Sequence, residues 1–260
     1  MFVSSTNQQM RVLFLGTGAA INSTAMPTSL LLDGRILLDA GPGIAQQLLR
    51  AQVSLDEVEA VVITHLHGDH TFGLPFLLLE YLLRPRKNAL QVHAPRGLHE
   101  LVLKLLRLAY PDVDPQHVFA CSGVVFADIV SRSSIVLGAL SLSPIPVCHG
   151  DSEAYGFRVT KGELTLGFTG DTSRCESVTE ILQDANIALV DVTTESGNVP
   201  GHMNLLDVAE LIPVIKPSGL MVAVHRSNAF GVNLPAEIAF PTDLAELETT
   251  GSRWAWKKRS

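Results

Sequence analysis

Cysteine is scarce in this chain. Cys121, Cys148 and Cys175 are odd in number and show no C-x-x-C spacing, which speaks against a disulfide framework and for reduced thiols. Cys148 adjoins His149 and invites a reading as a ligand, but a small buried residue at a strand end is the expectation. No apolar run is long enough to span a bilayer: residues 74–83 are interrupted by Pro75 and Glu80 and fall short of the roughly 18 needed. Residues 1–9 show no basic start followed by an apolar segment, so no secretory signal is expected and the cytoplasm is the expected compartment. Basic charge is also short, with 19 Lys and Arg against 26 Asp and Glu and a net charge of -7. That balance gives no general footprint for nucleic acid, so DNA is not expected and RNA would need a local patch. After Gly16-Thr17-Gly18 there is neither a third glycine nor a helix-opening pattern, which makes a tight turn near the site a better reading than a phosphate cradle.

What the chain does have is apolar content, 47% against 17% charged, enough for a large core in 260 residues. One domain over residues 1–260 is expected, with a flexible start over residues 1–9. The densest chemistry lies in Val61-Val62-Ile63-Thr64-His65-Leu66-His67-Gly68-Asp69-His70. An apolar strand breaks at Gly68 into a loop that presents four metal-binding side chains together. Imidazole suits zinc, iron or manganese, and a carboxylate can balance a second cation, so the mixed set points to a hydrolytic metal site.

Similar presentations recur. His149 ends the strand Pro146-Val147-Cys148 and precedes Gly150, Asp171 caps the strand over residues 164–169, and His225 follows the apolar strand over residues 220–224, read as the last. A hairpin is expected at Asp33-Gly34 and another at Lys161-Gly162. Helices are expected over residues 44–51, 71–83, 98–110, 176–185 and 205–215, the last capped by Asn204. Arg84, Arg86 and Lys87 at the end of the second are expected to complement its dipole, with a phosphate contact as the alternative. His93, His99 and His117 lack partners at ligand spacing and read as packing or surface residues. Residues 118–147 read as short β segments throughout, residues 228–260 as less regular, and Lys257-Lys258-Arg259 as a solvated tail. The polar loop over residues 193–204 should lie over the site. Strands too apolar to leave a face in water group into two halves, residues 11–120 and 124–223, which implies two sheets face to face with helices outside, an α+β architecture.

In their order and spacing these residues resemble the metallo-β-lactamase superfamily, whose fold is a four-layer αββα sandwich of two mixed sheets with a one- or two-metal site at one edge. The resemblance implies that His65, His67 and His149 hold one metal, that Asp69, His70 and His225 hold the other, and that Asp171 bridges both. It implies two divalent cations, zinc ahead of manganese or iron. Asp171 stands where lactamases with a cysteine ligand carry that cysteine, and His67 stands where flavodiiron members carry a carboxylate, so neither chemistry is implied. The segments Leu15-Gly16-Thr17-Gly18 and Leu38-Asp39-Ala40-Gly41, with Glu195 and Gly201-His202, look most like the branch of ribonuclease Z and related phosphodiesterases. That branch implies a phosphodiesterase acting on RNA 3′ ends or cyclic nucleotides, with water activated between two metals. Asp69 would orient the water and His202 would assist catalysis, helped by Glu195. Members that process tRNA carry a Gly/Pro-rich arm, whereas residues 70–149 here read as ordinary helices and strands. Carboxylic ester, lactone or sulfate hydrolysis on the same site is the alternative, followed by a non-catalytic metal sensor. A homodimer is the candidate assembly, with the apolar helix over residues 71–83 as its interface.

Overall fold

The computed structural model describes residues 9–227, 230, 234–250 and 253–257. Apart from Gln9, the expected flexible start lies outside them, as do Lys258 and Arg259. The chain begins with β1 (Arg11–Gly16), β2 (Ser29–Leu32), β3 (Ile36–Leu38), β4 (Ala60–Val62), β5 (Leu90–Ala94) and β6 (Val124–Asp128). These form most of one sheet. A second sheet takes β7 (Ile135–Leu137), β8 (Leu140–Pro146), β9 (Tyr155–Lys161), β10 (Leu164–Phe168), β11 (Ile187–Asp191), β12 (Leu220–Val224) and β13 (Ile238–Ala239). The chain then returns to the first sheet, where β14 (Glu246–Thr250) pairs antiparallel with β1 and with β15 (Arg253–Lys257). Both sheets mix parallel and antiparallel pairs.

Burial explains why the strands read as unbroken apolar runs. In β1, Val12 and Phe14 face the core between the sheets, while Leu13 and Leu15 face the helices α1 (Ile44–Arg50), α2 (Gly68–Thr71), α3 (Leu74–Leu79), α4 (Leu98–Ala109) and α5 (Pro115–Ser122) on the outer side. In β11, Ile187 and Leu189 point inward, and Ala188 and Val190 meet α6 (Glu176–Leu182) and α7 (Leu205–Ala209). A strand covered on both faces has no reason to alternate. The result is the expected αββα sandwich. At the expected hairpin, Asp33 and Gly34 take φ of 51° and 74°, the left-handed geometry that joins β2 to β3.

Several expectations are corrected. The two halves do not divide at residue 120: β6 belongs to the first sheet, and the stretch expected to be irregular supplies β13, β14 and β15. Lys257 therefore ends a strand rather than starting a tail. The helix expected over residues 71–83 is broken into α2, α3 and a 3-10 turn at Glu80–Leu82. At the break, a Cβ on Gly73 would lie 1.9 Å from the carbonyl oxygen of Gly41, so only glycine fits there. Arg86 donates to the carbonyls of Leu55 and Val58 and to the Tyr81 hydroxyl rather than to the end of its own helix. Within the segment read as β, α5 is a helix, capped by Asp114. The helix expected over residues 205–215 stops at Ala209, and its capping box on Asn204 and Asp207 is present. Cys148 is exposed rather than buried.

Candidate metal centre

The donors meet where strands of both sheets end. β4 runs through Ile63 and Thr64 to His65, and the chain then turns at His67 into α2, whose single turn carries Asp69 and His70. The Ala40 amide donates to the His70 carbonyl at 2.8 Å and the Gly73 amide to the Ala40 carbonyl at 2.9 Å, clamping α2 onto the end of β3. The second sheet contributes His149 after β8, Asp171 after β10 and His225 after β12. Among the described residues, His65, His67 and His149 form one donor set, and Asp69, His70, Asp171 and His225 another, each with its donor atoms within 4.8 Å of one another. His65 Nε2 lies 3.8 Å from Asp171 Oδ2, so Asp171 stands between the sets. All seven expected ligands therefore converge. His93, His99 and His117 belong to neither set.

Hydrogen bonds fix which ring nitrogen His65, His70, His149, His202 and His225 present. Thr64 Oγ1 donates its single proton to Asp39, so its lone pair accepts from His65 Nδ1 at 3.0 Å and leaves Nε2 bare. Asp39 also accepts from His70 Nδ1 at 2.8 Å. The second sheet repeats the arrangement around Asp191: Thr193 Oγ1 donates to Asp191 at 2.7 Å and accepts from His225 Nδ1 at 3.0 Å. His202 Nδ1 donates to Asp191 Oδ2 at 2.9 Å. His149 Nδ1 donates to the Gly201 carbonyl at 2.8 Å, a contact that needs glycine at φ 84° because a Cβ would fall 2.9 Å from that ring nitrogen. Asp39 and His225 themselves adopt φ of 59° and 56°, costly for residues with a side chain and held here by these bonds.

Sequence reasoning did not find Asp39 and Asp191 as site residues. Both are fully buried, and Asp191 takes the His202 ring through Nδ1. Glu195 lies on the exposed part of the same loop. The loop does cover the site: the His202 ring stacks on His225 with centroids 4.9 Å apart and meets His149 edge-on at 4.9 Å. The turn at Gly18 also sits beside the site, where Ala19 donates to the carbonyl of Arg226.

Whether the donors suit a cation can be judged from the charges. His65 Nε2 and His70 Nε2 are buried without a hydrogen-bond partner among the described residues. His70 Nε2 is only 3.2 Å from Asp171 Oδ2, near enough for attraction but with no directed bond. Burial and the neighbouring His70 push the His65 pKa down to about 2, leaving a neutral, coordinating imidazole. His70 and His225 behave oppositely. Burial would lower both, yet Asp171 with Asp39 holds His70 well above its ordinary value, and Asp171 with Asp191 and Asp69 pushes His225 up to about 10. Against the desolvation of burial, His225 and His70 also keep Asp171 well below the usual carboxylate range. The cluster is built to attract positive charge, and the bare, buried Nε2 of His65 fits a divalent metal.

A family model described as "Beta-lactamase superfamily domain" matches residues 34–226. The chain is 34% identical to the ribonuclease BN of an Enterobacter species, covering 85% of this chain and 90% of that one. It is 29% identical to ribonuclease Z of Methanothermobacter thermautotrophicus, covering 85% and 88%. Among solved structures, it is similar to the metallo-beta-lactamase fold protein YhfI from Bacillus subtilis, with a TM-score of 0.77, 17% identity and coverage of 94% and 100%.

Proposed function

Because the chain belongs to the β-lactamase superfamily, as a ribonuclease Z-like, metal-dependent hydrolase of ester bonds, we propose that it is a two-metal phosphodiesterase acting on RNA 3′ ends or cyclic nucleotides. The observation that carries this reading is the meeting of a set of three donors with a set of four that includes Asp171. His65, His67 and His149 would hold one cation and Asp69, His70 and His225 the other, with Asp171 bridging; zinc suits this imidazole-rich site, and manganese or iron takes the same donors. Bound there, two such cations lower the pKa of a water toward neutrality and neutralise charge gathering on a phosphoryl oxygen.

The chain's own groups do the rest. Asp69 stays ionised against its burial because His225 hydrogen-bonds it and the His70 ring lies 3.3 Å away, so it can accept a hydrogen bond from the attacking water and orient it. His202, fixed through Nδ1 on Asp191, keeps Nε2 to protonate the leaving oxygen or stabilise charge there. Asp191 sets that tautomer. Between His70 and His149 the chain is spent on α3 to α5 and β5 to β8, packed as part of the sandwich. With a net charge of -7, this favours a cyclic or otherwise small phosphodiester over a folded tRNA.

Hydrolysis of bis-p-nitrophenyl phosphate by metal-analysed protein tests the reading, before and after chelation and with zinc or manganese restored. Chelator-sensitive turnover with about two metals per chain is the expected result. Turnover of p-nitrophenyl acetate or sulfate instead would move the reaction to carboxylic or sulfate esters, and protein that takes up no metal would overturn the proposal.

A further inference from the structure

The two ligand-bearing loops of the second sheet are joined by more than the site. The Ser173 amide donates to the Cys148 carbonyl at 2.8 Å, and the Cys148 amide donates to Thr172 Oγ1 at 3.1 Å. Thr172 Oγ1 is also 3.8 Å from Cys175 Sγ. These bonds place the residue before His149 against the segment that follows Asp171, and the Cys148 and Cys175 side chains are in contact. Cys148 is exposed and Cys175 half-buried, while Cys121 lies on α5 of the first sheet beside His117. A scarce residue type has thus placed two of its three copies together, one of them open to solvent, one residue from a candidate ligand.

We propose that Cys148 and Cys175 form a redox modification site, closing to a disulfide under hydroperoxide and straining the loops that carry His149 and Asp171. One of the two sulfurs attacks the peroxide, whose O–O bond breaks; that sulfur becomes a sulfenic acid and water leaves. The other sulfur then displaces that oxygen as a second water and forms the S–S bond. Two thiols and one hydrogen peroxide give one disulfide and two waters. Drawing two thiols in contact to a covalent length of about 2.05 Å pulls both segments together through Thr172. A metal site tolerates displacements of only about 0.2 Å in its ligand distances, so the oxidised form holds its cations less well.

The test takes zinc-loaded protein through peroxide and reads three things. Intact mass is expected to fall by two hydrogens, and non-reducing peptide mapping to join Cys148 to Cys175 while Cys121 remains alkylatable. Zinc release to a colorimetric chelator is expected to quicken several-fold, reversed by dithiothreitol. In Cys175→Ser and in Cys148→Ser neither the mass loss nor the faster release should occur. Oxygen added to Cys148 with Cys175 still free, or a bridge that leaves zinc release unchanged, overturns the proposal. The strain rests on the two-metal reading. Protein that never binds zinc defeats that reading, whereas the mass and mapping results still decide whether the bridge forms.

Discussion

Two buried carboxylates, Asp39 at the end of β3 in the first sheet and Asp191 at the end of β11 in the second, organise the site in parallel ways. Each accepts a threonine hydroxyl, each threonine in turn accepts a histidine Nδ1, and each carboxylate takes a second histidine directly. The difference is in what the second histidine can do. Around Asp39, His65 and His70 are both buried, and α2 is clamped against the strand end that carries the carboxylate. Around Asp191, His225 is buried but His202 comes from the covering loop, with 14% of its side chain exposed. The same hydrogen-bond device therefore holds two buried rings in one sheet and a buried and a partly exposed ring in the other. Precise tautomer control does not require a fixed backbone, only a fixed acceptor.

The harshest way to break the parallel is Asp39→Ala. Asp39 holds His70 directly and His65 through Thr64, one histidine from each donor set, and it also accepts the Thr64 amide at 2.8 Å. Removing it leaves buried donors and His70 uncompensated, at a cost of about 3 kcal/mol. Thermal unfolding with chelator present is expected to shift to lower temperature, and metal analysis to show both ions weakened. A variant with an unchanged midpoint and two retained metals would reduce Asp39 to a bystander.

On the Asp191 side the expected losses fall on turnover. His202→Ala should slow phosphodiester hydrolysis by roughly 10²–10⁴-fold, the usual range for a general acid or base, with metal content intact. Asp191→Asn should slow it by about 10–100-fold, as for loss of the partner that orients such a histidine. The outcome is open to a sharp contradiction, because Asp171, Asp191, His202 and His225 also lie close enough to act together as donors. If His202→Ala loses a metal along with its activity, His202 is a ligand and the contrast between the two carboxylates disappears.

The seven convergent donors were legible in the sequence because each sits where an apolar strand stops, and strands of a covered sheet stop together at one edge. Asp39 and Asp191 were not legible as site residues. A single acid at a strand end carries no spacing signal, and the partners of Asp39 lie 25 and 31 residues away. The break between α2 and α3 was hidden by a continuous apolar run, and the close approach of Gly73 to Gly41 beside it is a tertiary fact. The helix α5 was readable and was missed: Asp114-Pro115 is a cap followed by proline at the first helical turn. The strands β14 and β15 interleave polar residues, as in Glu246-Leu247-Glu248, where Leu247 is the residue that enters the core between the sheets, and so they lack the unbroken apolar run that marked the others.

Protons should separate the two metal sets where the carboxylates do not. His65 is neutral down to about pH 2 and burial also lowers His67, so the set they share with His149 gains little from raising the pH above neutrality. His225, with its pKa pushed up to about 10, and His70, raised well above its ordinary value, each carry a proton at neutral pH that an incoming cation must displace. Affinity at their set should therefore climb with pH until about 10, by up to about tenfold per pH unit for each proton released. Acidification from mildly alkaline to mildly acidic conditions should empty that set first and leave the first set occupied. Calorimetric titration of zinc in two buffers of different ionisation enthalpy measures the protons directly. One site releasing one to two protons beside a site releasing almost none is the expected result; equal release from both would mean that Asp171 couples the sets into a single titrating unit.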